Sequence, residues 1–321
     1  MMQQILGYDQ LTEEVKKKAK EELHENPEQV EAHLISFRRW VSSLPHIKFP
    51  LDDQLLLPFL RHAKYIHAKA QKRLDNFCTV RKSTVNGFPH LFKDLPPDDP
   101  GLEAYFTSGA TALLGYTTDG CIMYLIRLTP WLDDENVNEV VRTISLIEMD
   151  RIILDPRVQI TGQGAVVDMT QWSGKLFLKE AKAYTKISQE GFPLRMKRVI
   201  YLNPPKMFEI VLKLFQPWIS EKLRRRVIIV RGDMDKVYES IPGLKEIMPA
   251  EYGGGNDTVE NLALKWSHVF REFVSKPSPW KDVEVDESKR PESAKNLMKE
   301  YADIDLSKLG TKGTYVQLDQ D

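Results

Sequence analysis

The first part of the chain repeats apolar residues at the three- and four-residue spacing typical of amphipathic helices. Residues that favour helix starts precede three such stretches, so helices are predicted to begin near Thr12, Asn26 and Asp52, and a fourth is predicted from about His67 to Thr84. Pro58 lies beyond the first turn of the third helix, which should therefore kink or start late. Four prolines in residues 89–101 then interrupt the pattern, and we place a domain boundary there.

Beyond this boundary the pattern changes to nearly continuous apolar runs of strand length, each preceded or followed by a helical pattern. The predicted strands are 121–128, 162–169, 195–203 and 225–232, and the predicted helices are 135–153, 174–189 and 206–220. Strands that are apolar on both faces and joined by helices indicate an α/β fold with parallel strand pairs. From Pro277 onward the chain is polar and charged, and we expect an extended tail with little core of its own.

The 321-residue length fits two domains, and the composition, 42% hydrophobic and 28% charged, is that of a folded protein. The net charge of -1 argues against nucleic-acid binding over the whole surface. Two cysteines suit a reducing compartment, and neither a secretory signal nor a stretch long enough to span a membrane is present. The expected location is the cytoplasm, with transient peripheral contact with membranes.

The predicted helix 206–220 has more apolar surface than a surface helix needs. On a helical projection its polar residues fall within an arc of about 80°, and the apolar ones fill about 200°. Cations follow at Lys222 and Arg226, and Arg195 and Lys197 lie on one face of the preceding strand. Burial on two sides would explain the apolar arc. A second interpretation is a lid, hinged at Pro217, between a lipid-sized cavity and an anionic membrane.

Four sequence segments together resemble the CRAL-TRIO lipid-binding family, and the resemblance covers about residues 10–275 of the chain. They are DDQLLLPFLRHAKYIHAKA, GAVVDMTQW, FPLRMKRVIYLNPPKMFEIVLKLFQPWISEKLRRRVIIVRG and IPGLKEIMPAEYGGG. The similarity is to the branch of the tocopherol transfer, retinaldehyde-binding and clavesin proteins. The last residues, GTKGTYVQLDQD, are similar to the ends of many insect members.

The resemblance implies a helical N-terminal subdomain (1–90), a lipid-binding domain (91–276) with a mixed, partly parallel sheet as floor and a helical gate, and a polar tail (277–321). It implies binding and membrane-to-membrane transfer of a tocopherol-, retinoid- or similar lipid-like ligand, without catalysis. No cofactor or metal is expected besides the bound hydrophobic ligand. The protein partner is unknown.

By the same resemblance a phosphoinositide headgroup at an anionic membrane would be bound by Lys72, Arg195, Lys197, Lys222 and Arg226. The chain departs from the family at Pro58 and Ala63, where arginines are usual, which predicts weaker phosphoinositide binding. It has Gln171 where the family has glycine.

Ligand-pocket residues are predicted from the resemblance and from their positions on the apolar faces of helices and strands. For each of them, ordinary packing in the core is an equal alternative. They are Ile144, Met149, Ile187, Phe192, Leu194, Met196, Phe208, Val211, Leu214 and Phe215.

Other functions remain as alternatives. The protein could be a lipid-sensing regulatory module whose tail docks a partner, or a phospholipid-transfer protein. An α/β enzyme would need a nucleophile paired with a base, and no such pair is visible. Cys121 and Arg127 fit a phosphatase spacing, but the residues between them form an apolar strand run instead of a phosphate-binding loop. Asp168, at a strand end, is expected to brace a turn.

Overall fold

The computed structural model describes residues 11–128, 135–172, 175–176, 186–215, 217, 219–232, 234–295 and 316–317. The described helices are α1 (Glu13–Leu23), α2 (Pro27–Ser42), α3 (Asp53–His62), α4 (His67–Lys82), α5 (Pro100–Thr107), α6 (Glu135–Ile152), α7 (Pro156–Thr161), α8 (Phe208–Phe215), α9 (Glu221–Arg224), α10 (Asp235–Ser240), α11 (Leu244–Ile247), α12 (Val259–Val274) and α13 (Glu292–Lys295). The described strands are β1 (Ile47–Lys48), β2 (Thr111–Tyr116), β3 (Ile122–Arg127), β4 (Gln163–Asp168), β5 (Lys175–Leu176), β6 (Met196–Leu202), β7 (Val227–Val230), β8 (Glu284–Val285) and β9 (Val316–Gln317).

The predicted N-terminal helices form. Thr12 and Asn26 cap their helices as expected, whereas Asp52 occupies the N-cap position of α3 without a side-chain hydrogen bond. Thr12 accepts a hydrogen bond from the backbone N–H of Val15, and Asn26 accepts one from Glu28. Helix α3 begins directly after Asp52 and contains Pro58, so it does not start late; a kink at Pro58 stays a prediction. The apolar faces of these helices share one core, whose largest members include Phe37, Phe59 and Phe77.

A five-stranded mixed sheet organises the rest of the chain, which confirms the predicted α/β fold. The strand order is β2-β3-β4-β6-β7. Strands β3, β4, β6 and β7 are parallel, and β2 is antiparallel to β3. The four predicted strands all form, but β2 was not predicted. Two short antiparallel sheets, β1–β8 and β5–β9, join distant parts of the chain.

The two faces of this sheet are covered differently. On one face Leu125, Val166 and Ile200 are fully buried beneath helices α10, α11 and α12. On the other face, helices α5, α6 and α7 pack near the start of the strands, around Ile122 and Tyr124. The carboxyl ends of the strands on this second face carry apolar residues that remain partly exposed.

The first part of the predicted polar tail belongs to the core instead. Trp280 is 1% exposed and packs against Phe77 and Phe49 of the N-terminal helical part. Arg290 donates to Asp75 at 2.7 Å. The polar composition of this segment did not indicate its packing. A few buried side chains are enough to hold a polar segment against the rest of the protein.

Two predicted helices differ from the structure. In the first, 174–189, the described residues form strand β5 and a helical turn at Ile187–Gly191, and the remainder lies outside the described residues. The second, 206–220, is interrupted: α8 ends at Phe215 and α9 starts at Glu221, with Pro217 between them. Proline lacks the N–H that would continue the helix.

Candidate functional site: an apolar sheet floor and a cationic cluster

An apolar row crosses the open face of the sheet near the carboxyl ends of its parallel strands. Ile126 is the register partner of Val167, Val167 of Tyr201, and Tyr201 of Ile229. Register partners on neighbouring strands point to the same face, so the four side chains form one continuous surface, called here the floor. In open α/β sheets, ligands bind at this end of the strands.

The floor is incompletely covered although its strands are mostly internal to the sheet. Ile126 and Ile229 are each 37% exposed, and Val167 and Tyr201 are half-buried. Burial also raises the pKa of the Tyr201 hydroxyl, which means that this partly accessible side chain lies deep in the protein. The floor therefore offers apolar surface that remains available for further contacts.

Helix α8 begins against the floor. The ring of Phe208, at its first position, lies 4.6 Å from the ring of Tyr201 and 6.4 Å from Trp172, measured between centroids. Ile210, on the same helix, is 56% exposed. The helix therefore has one apolar residue packed on the floor and another exposed to solvent.

Four cations lie together near the amino ends of β6 and β7, whereas the floor lies toward the carboxyl ends of the strands. Partial burial lowers the pKa of Lys222, and repulsion from Arg226, Arg195, Lys64 and Lys197 lowers it further. Partial burial and Arg195 likewise lower the pKa of Arg226. We call Arg195, Lys197, Lys222 and Arg226 the cationic cluster. Its members repel one another, so an added anion would relieve an existing electrostatic cost.

An acidic side chain from the N-terminal helices enters this cluster. Glu22 of α1 accepts hydrogen bonds from Arg195 Nη2 at 2.8 Å and from Lys197 Nζ at 2.7 Å. Burial alone would raise the pKa of Glu22, but these two bonds outweigh burial, and the pKa is lowered. The Glu22 carboxylate thus lies between Arg195 and Lys197, two of the predicted headgroup ligands, in the position that an anionic oxygen of a headgroup would take. Sequence reasoning missed it, because a helical Glu 173 residues before Arg195 carries no local signal.

A glycine makes this arrangement possible. Gly162 has φ +81°, and a Cβ there would lie 2.5 Å from the Arg195 carbonyl oxygen and 2.8 Å from Lys197 Cγ. Any larger residue would push the start of β6 away from α7. We therefore expect the position of both cations to depend on Gly162.

Residues 106–254 match the model of the CRAL/TRIO domain. The human alpha-tocopherol transfer protein-like protein is 30% identical over 254 residues, which covers 76% of this chain and 71% of that protein. The chain belongs to the CRAL/TRIO family. Clavesin-1 of Pongo abelii is 28% identical over 251 residues, covering 76% of this chain and 69% of that protein. The solved structure of Sfh5 aligns over 65% of this chain and 74% of its own with a TM-score of 0.48 and 18% identity.

Within this CRAL/TRIO chain, the predicted pocket residues do not all lie near the floor. Ile187 and Phe192 are fully buried in the core of the N-terminal helices, and Ile144 is fully buried with Tyr124. Packing accounts for these three without a ligand. Their predicted ligand contacts, like the rest of the predicted site, stay predictions.

The other predicted pocket residues are less enclosed or lie outside the description. Leu194 is partly buried between two cores, and Met149 and Met196 are half-buried. Phe208 packs on the floor. The side chains of Val211, Leu214 and Phe215 lie outside the described residues. The floor residues themselves were not predicted, although strand alternation could have selected them.

Lys72, the fifth predicted headgroup ligand, lies half-buried on α4 beside Arg73. Arg73 donates to the Phe192 carbonyl at 3.2 Å. Burial, together with Arg73, Lys222 and Arg195, lowers the pKa of His62 well below its usual value. Helix α4 therefore borders the cationic cluster. The two departures from the family pattern, Pro58 and Ala63, both occupy buried positions.

Asp168 braces a turn as expected. Its Oδ2 accepts from the Tyr252 hydroxyl at 2.6 Å, and its Oδ1 accepts from the Thr170 N–H at 2.9 Å. Cys121 is fully buried, and burial raises the pKa of its thiol to about 12, so the thiolate needed for phosphatase chemistry is not formed at neutral pH. Among the residues described, no group of three or more His, Cys, Asp or Glu side chains could hold a metal ion.

None of the described helices combines the length and the apolar character that crossing a bilayer demands.

Proposed function

We propose that the protein binds one small hydrophobic molecule between the floor and helix α8 and carries it between membranes. The observation that supports this most directly is the partial exposure of Ile126, Val167, Tyr201 and Ile229 at the carboxyl end of the sheet. Folding normally covers such residues, and a ligand would cover them here. An apolar ligand that buries about 400 Å² would gain about 10 kcal/mol before the costs of association.

The chemistry of the floor favours a largely uncharged ligand. Its four members are three aliphatic side chains and one tyrosine, so an ionised group placed among them would lose its hydration without gaining a partner. A tocopherol-like or retinoid-like molecule, with a long apolar body and one small polar group, fits this surface. The name of the alpha-tocopherol transfer protein-like relative supports the same class. The chain itself would supply no catalytic step and no cofactor.

For delivery we propose that the cationic cluster docks on an anionic cytoplasmic membrane surface and binds a phosphoinositide headgroup. Each basic residue near such a surface contributes about 1 kcal/mol, so four give reversible binding. Helix α8 is followed, after Pro217, by helix α9, which carries Lys222, and this short connection supports coupling of docking to ligand release. Peripheral, transient attachment follows from this, with the protein otherwise in the cytoplasm.

The first test is native mass spectrometry of the purified full chain, followed by identification of any released molecule. We expect one hydrophobic molecule per protein, of the isoprenoid class. A bound phospholipid would favour phospholipid transfer instead. If exposure to tocopherol, retinaldehyde and phospholipid vesicles leaves the protein without a stoichiometric ligand, the carrier role is wrong.

A further inference from the structure

A buried carboxyl group connects α6 and α12 at a place that the proposed function does not use. Glu148 of α6 is 8% exposed, and its Oε1 accepts a hydrogen bond from Trp266 Nε1 of α12 at 2.5 Å. Among the described residues, Glu148 makes no ion pair and no second hydrogen bond. An ionised carboxylate in such a place would normally have a cation or several donors as partners, so these contacts favour the neutral acid.

A cation on the same helix lies close to Glu148 but contacts another group. The guanidinium carbon of Arg151 lies 4.4 Å from the ring centroid of Trp266, which is a cation–π contact. The buried Nε–H of Arg151 has no hydrogen-bond acceptor. Residues three apart on a helix lie side by side, so a change of side-chain rotamer would bring Arg151 to the Glu148 carboxyl. Trp266 therefore holds an acid at its N–H and a base on its ring.

Tyr124 of β3 contacts the same tryptophan from the sheet. The two rings lie 5.9 Å apart between centroids at an angle of 66°. Burial raises the pKa of the Tyr124 hydroxyl, and the charge of nearby Arg151 opposes that rise. The hydroxyl oxygen nevertheless has no partner with hydrogen-bond geometry. Buried polar groups are normally satisfied, so the Tyr124 hydroxyl and the Arg151 Nε–H indicate that a second arrangement of these side chains is accessible.

The surroundings raise the pKa of Glu148 to about 7. Burial is the largest cause, and the hydrogen bond from Trp266 and the charge of Arg151 lower the pKa by less. The proton of Glu148 is therefore exchanged near neutral pH, whereas an exposed glutamic acid would lose it at a much lower pH.

The other charged and titratable groups on the neighbouring elements are exposed or have partners of their own. On α12, Lys265 and His268 are exposed. The remaining groups form pairs with one another: Tyr116 with Asp155, Tyr116 with Arg157, Asp150 with Arg81, and Arg271 with Glu103. Among the described charges, only that of Arg151 acts on the Glu148 carboxyl.

We propose that Glu148, Arg151 and Trp266 form a proton-controlled switch between α6 and α12. While Glu148 is protonated, it binds the indole N–H, and Arg151 lies on the indole ring. When Glu148 releases its proton to solvent, the buried carboxylate needs a counter-charge and draws Arg151 off the ring into an ion pair. Tyr124 precedes the floor residue Ile126 by two positions on β3, so the switch sets how firmly α6 is held beside the floor. It does not depend on the carrier role.

The first test follows the Trp266 indole N–H by NMR in the full chain labelled with ¹⁵N-tryptophan, with the signal assigned by Trp266→Phe. In the wild type its position should titrate with a midpoint at about pH 7. In Glu148→Gln it should not titrate, because the neutral amide oxygen accepts the same bond at every pH. Arg151→Met keeps a long side chain without the charge, and its midpoint should move to higher pH.

Two outcomes of this titration would overturn the switch. One is a wild-type signal that does not move between about pH 5 and about pH 9, which means that Glu148 keeps one protonation state. The other is an unchanged midpoint in Arg151→Met, which means that Arg151 does not answer the charge of Glu148.

Thermal unfolding gives a second readout. The pKa of Glu148 in the folded chain, about 7, lies above its ordinary value of 4.5. The folded chain therefore holds this proton more tightly than the unfolded chain, and that contribution to stability is lost as the pH rises through about 7. Relative to Glu148→Gln, the wild-type midpoint temperature should fall by about 3 °C or more between about pH 5.5 and about pH 8.5.

Glu260→Gln is the matched control, because it makes the same charge change at an exposed position of α12. The difference in midpoint temperature between this variant and the wild type should stay constant with pH. A difference between the wild type and Glu148→Gln that is equally constant would refute the switch.

Discussion

The two faces of the sheet are built from neighbouring residues of the same strands, yet they have opposite environments. Leu125, Val166 and Ile200 are fully buried, while the residues that follow them, Ile126, Val167 and Tyr201, are partly exposed. Side-chain type does not separate the two sets, since both are dominated by aliphatic residues. The difference arises from cover: three helices close the first face, and the second is left open at its carboxyl end.

This comparison teaches that an apolar strand can serve stability on one side and recognition on the other. Leu125, Val166 and Ile200 on the covered face are fully buried, so each of these side chains contributes to the free energy of folding. On the open face the same chemistry is left partly unsatisfied, and a ligand can supply the missing contacts. Each prediction below tests one consequence, from the largest expected effect to the smallest.

The largest effect should come from shortening matched isoleucines on the two faces. Ile200→Ala removes a fully buried side chain and should lower the free energy of unfolding by about 2–5 kcal/mol. Ile126→Ala should cost less than about 1.5 kcal/mol, because 37% of that side chain is already exposed. Urea unfolding monitored by circular dichroism measures both. Equal losses would mean that the open face is part of the core.

Filling the open face should abolish ligand binding. Val167→Trp places a large ring above the floor and should lower ligand occupancy in native mass spectra at least about tenfold. Leu264→Trp is the control, because Leu264 is 56% exposed on α12 and outside the floor. Unchanged occupancy in Val167→Trp would place the ligand elsewhere.

A third experiment compares adjacent cations of β6. Lys197 belongs to the cationic cluster, whereas Arg198 pairs with Asp119 in the turn before β3. Lys197→Glu should weaken binding to vesicles containing a phosphoinositide by about five- to thirtyfold, because the reversal removes one attraction and adds one repulsion of up to roughly 1 kcal/mol each. Arg198→Glu should have a smaller effect in the same sedimentation assay. If both reversals weaken binding equally, only overall charge matters and the cluster has no special role.

The smallest effect should be a gain. Glu22 occupies a position between Arg195 and Lys197 that a headgroup phosphate would need, so Glu22→Gln should strengthen phosphoinositide-vesicle binding by about two- to fivefold. Glu21→Gln makes the same charge change at an exposed position of the same helix. A gain that is equal in the two variants would show that Glu22 does not compete with the headgroup.

Local patterns predicted much of this architecture. The run 121–128 became β3 (Ile122–Arg127), and 195–203 became β6 (Met196–Leu202), because continuous apolar runs of this length favour buried strands. Strand β2 was missed, since Thr111–Tyr116 contains a glycine and lies beside a turn-rich segment. The helix predicted at 174–189 is wrong at Lys175–Leu176, which form strand β5. The helical spacing of apolar residues there gave no indication of a strand.

The candidate site divides in the same way. Period-two spacing placed Arg195 and Lys197 on one face, but the sequence carries no signal that Glu22 would join them. Trp280 and Arg290 lie in a polar segment and are anchored only by surfaces of the N-terminal helices. Such contacts depend on the packing of distant segments, which composition and periodicity cannot report.

The sequence by itself determined the α/β class, the helical start of the chain, the parallel strands and the break near Pro217, because these follow from apolar period, capping residues and the geometry of proline. Only the tertiary structure decided which face of the sheet stays open and which acid enters the cationic cluster. The physical reason is that exposure and electrostatic pairing depend on which segments of the chain cover one another. Side chains of a strand alternate between its two faces, so the strand sequence alone does not indicate which face will be covered.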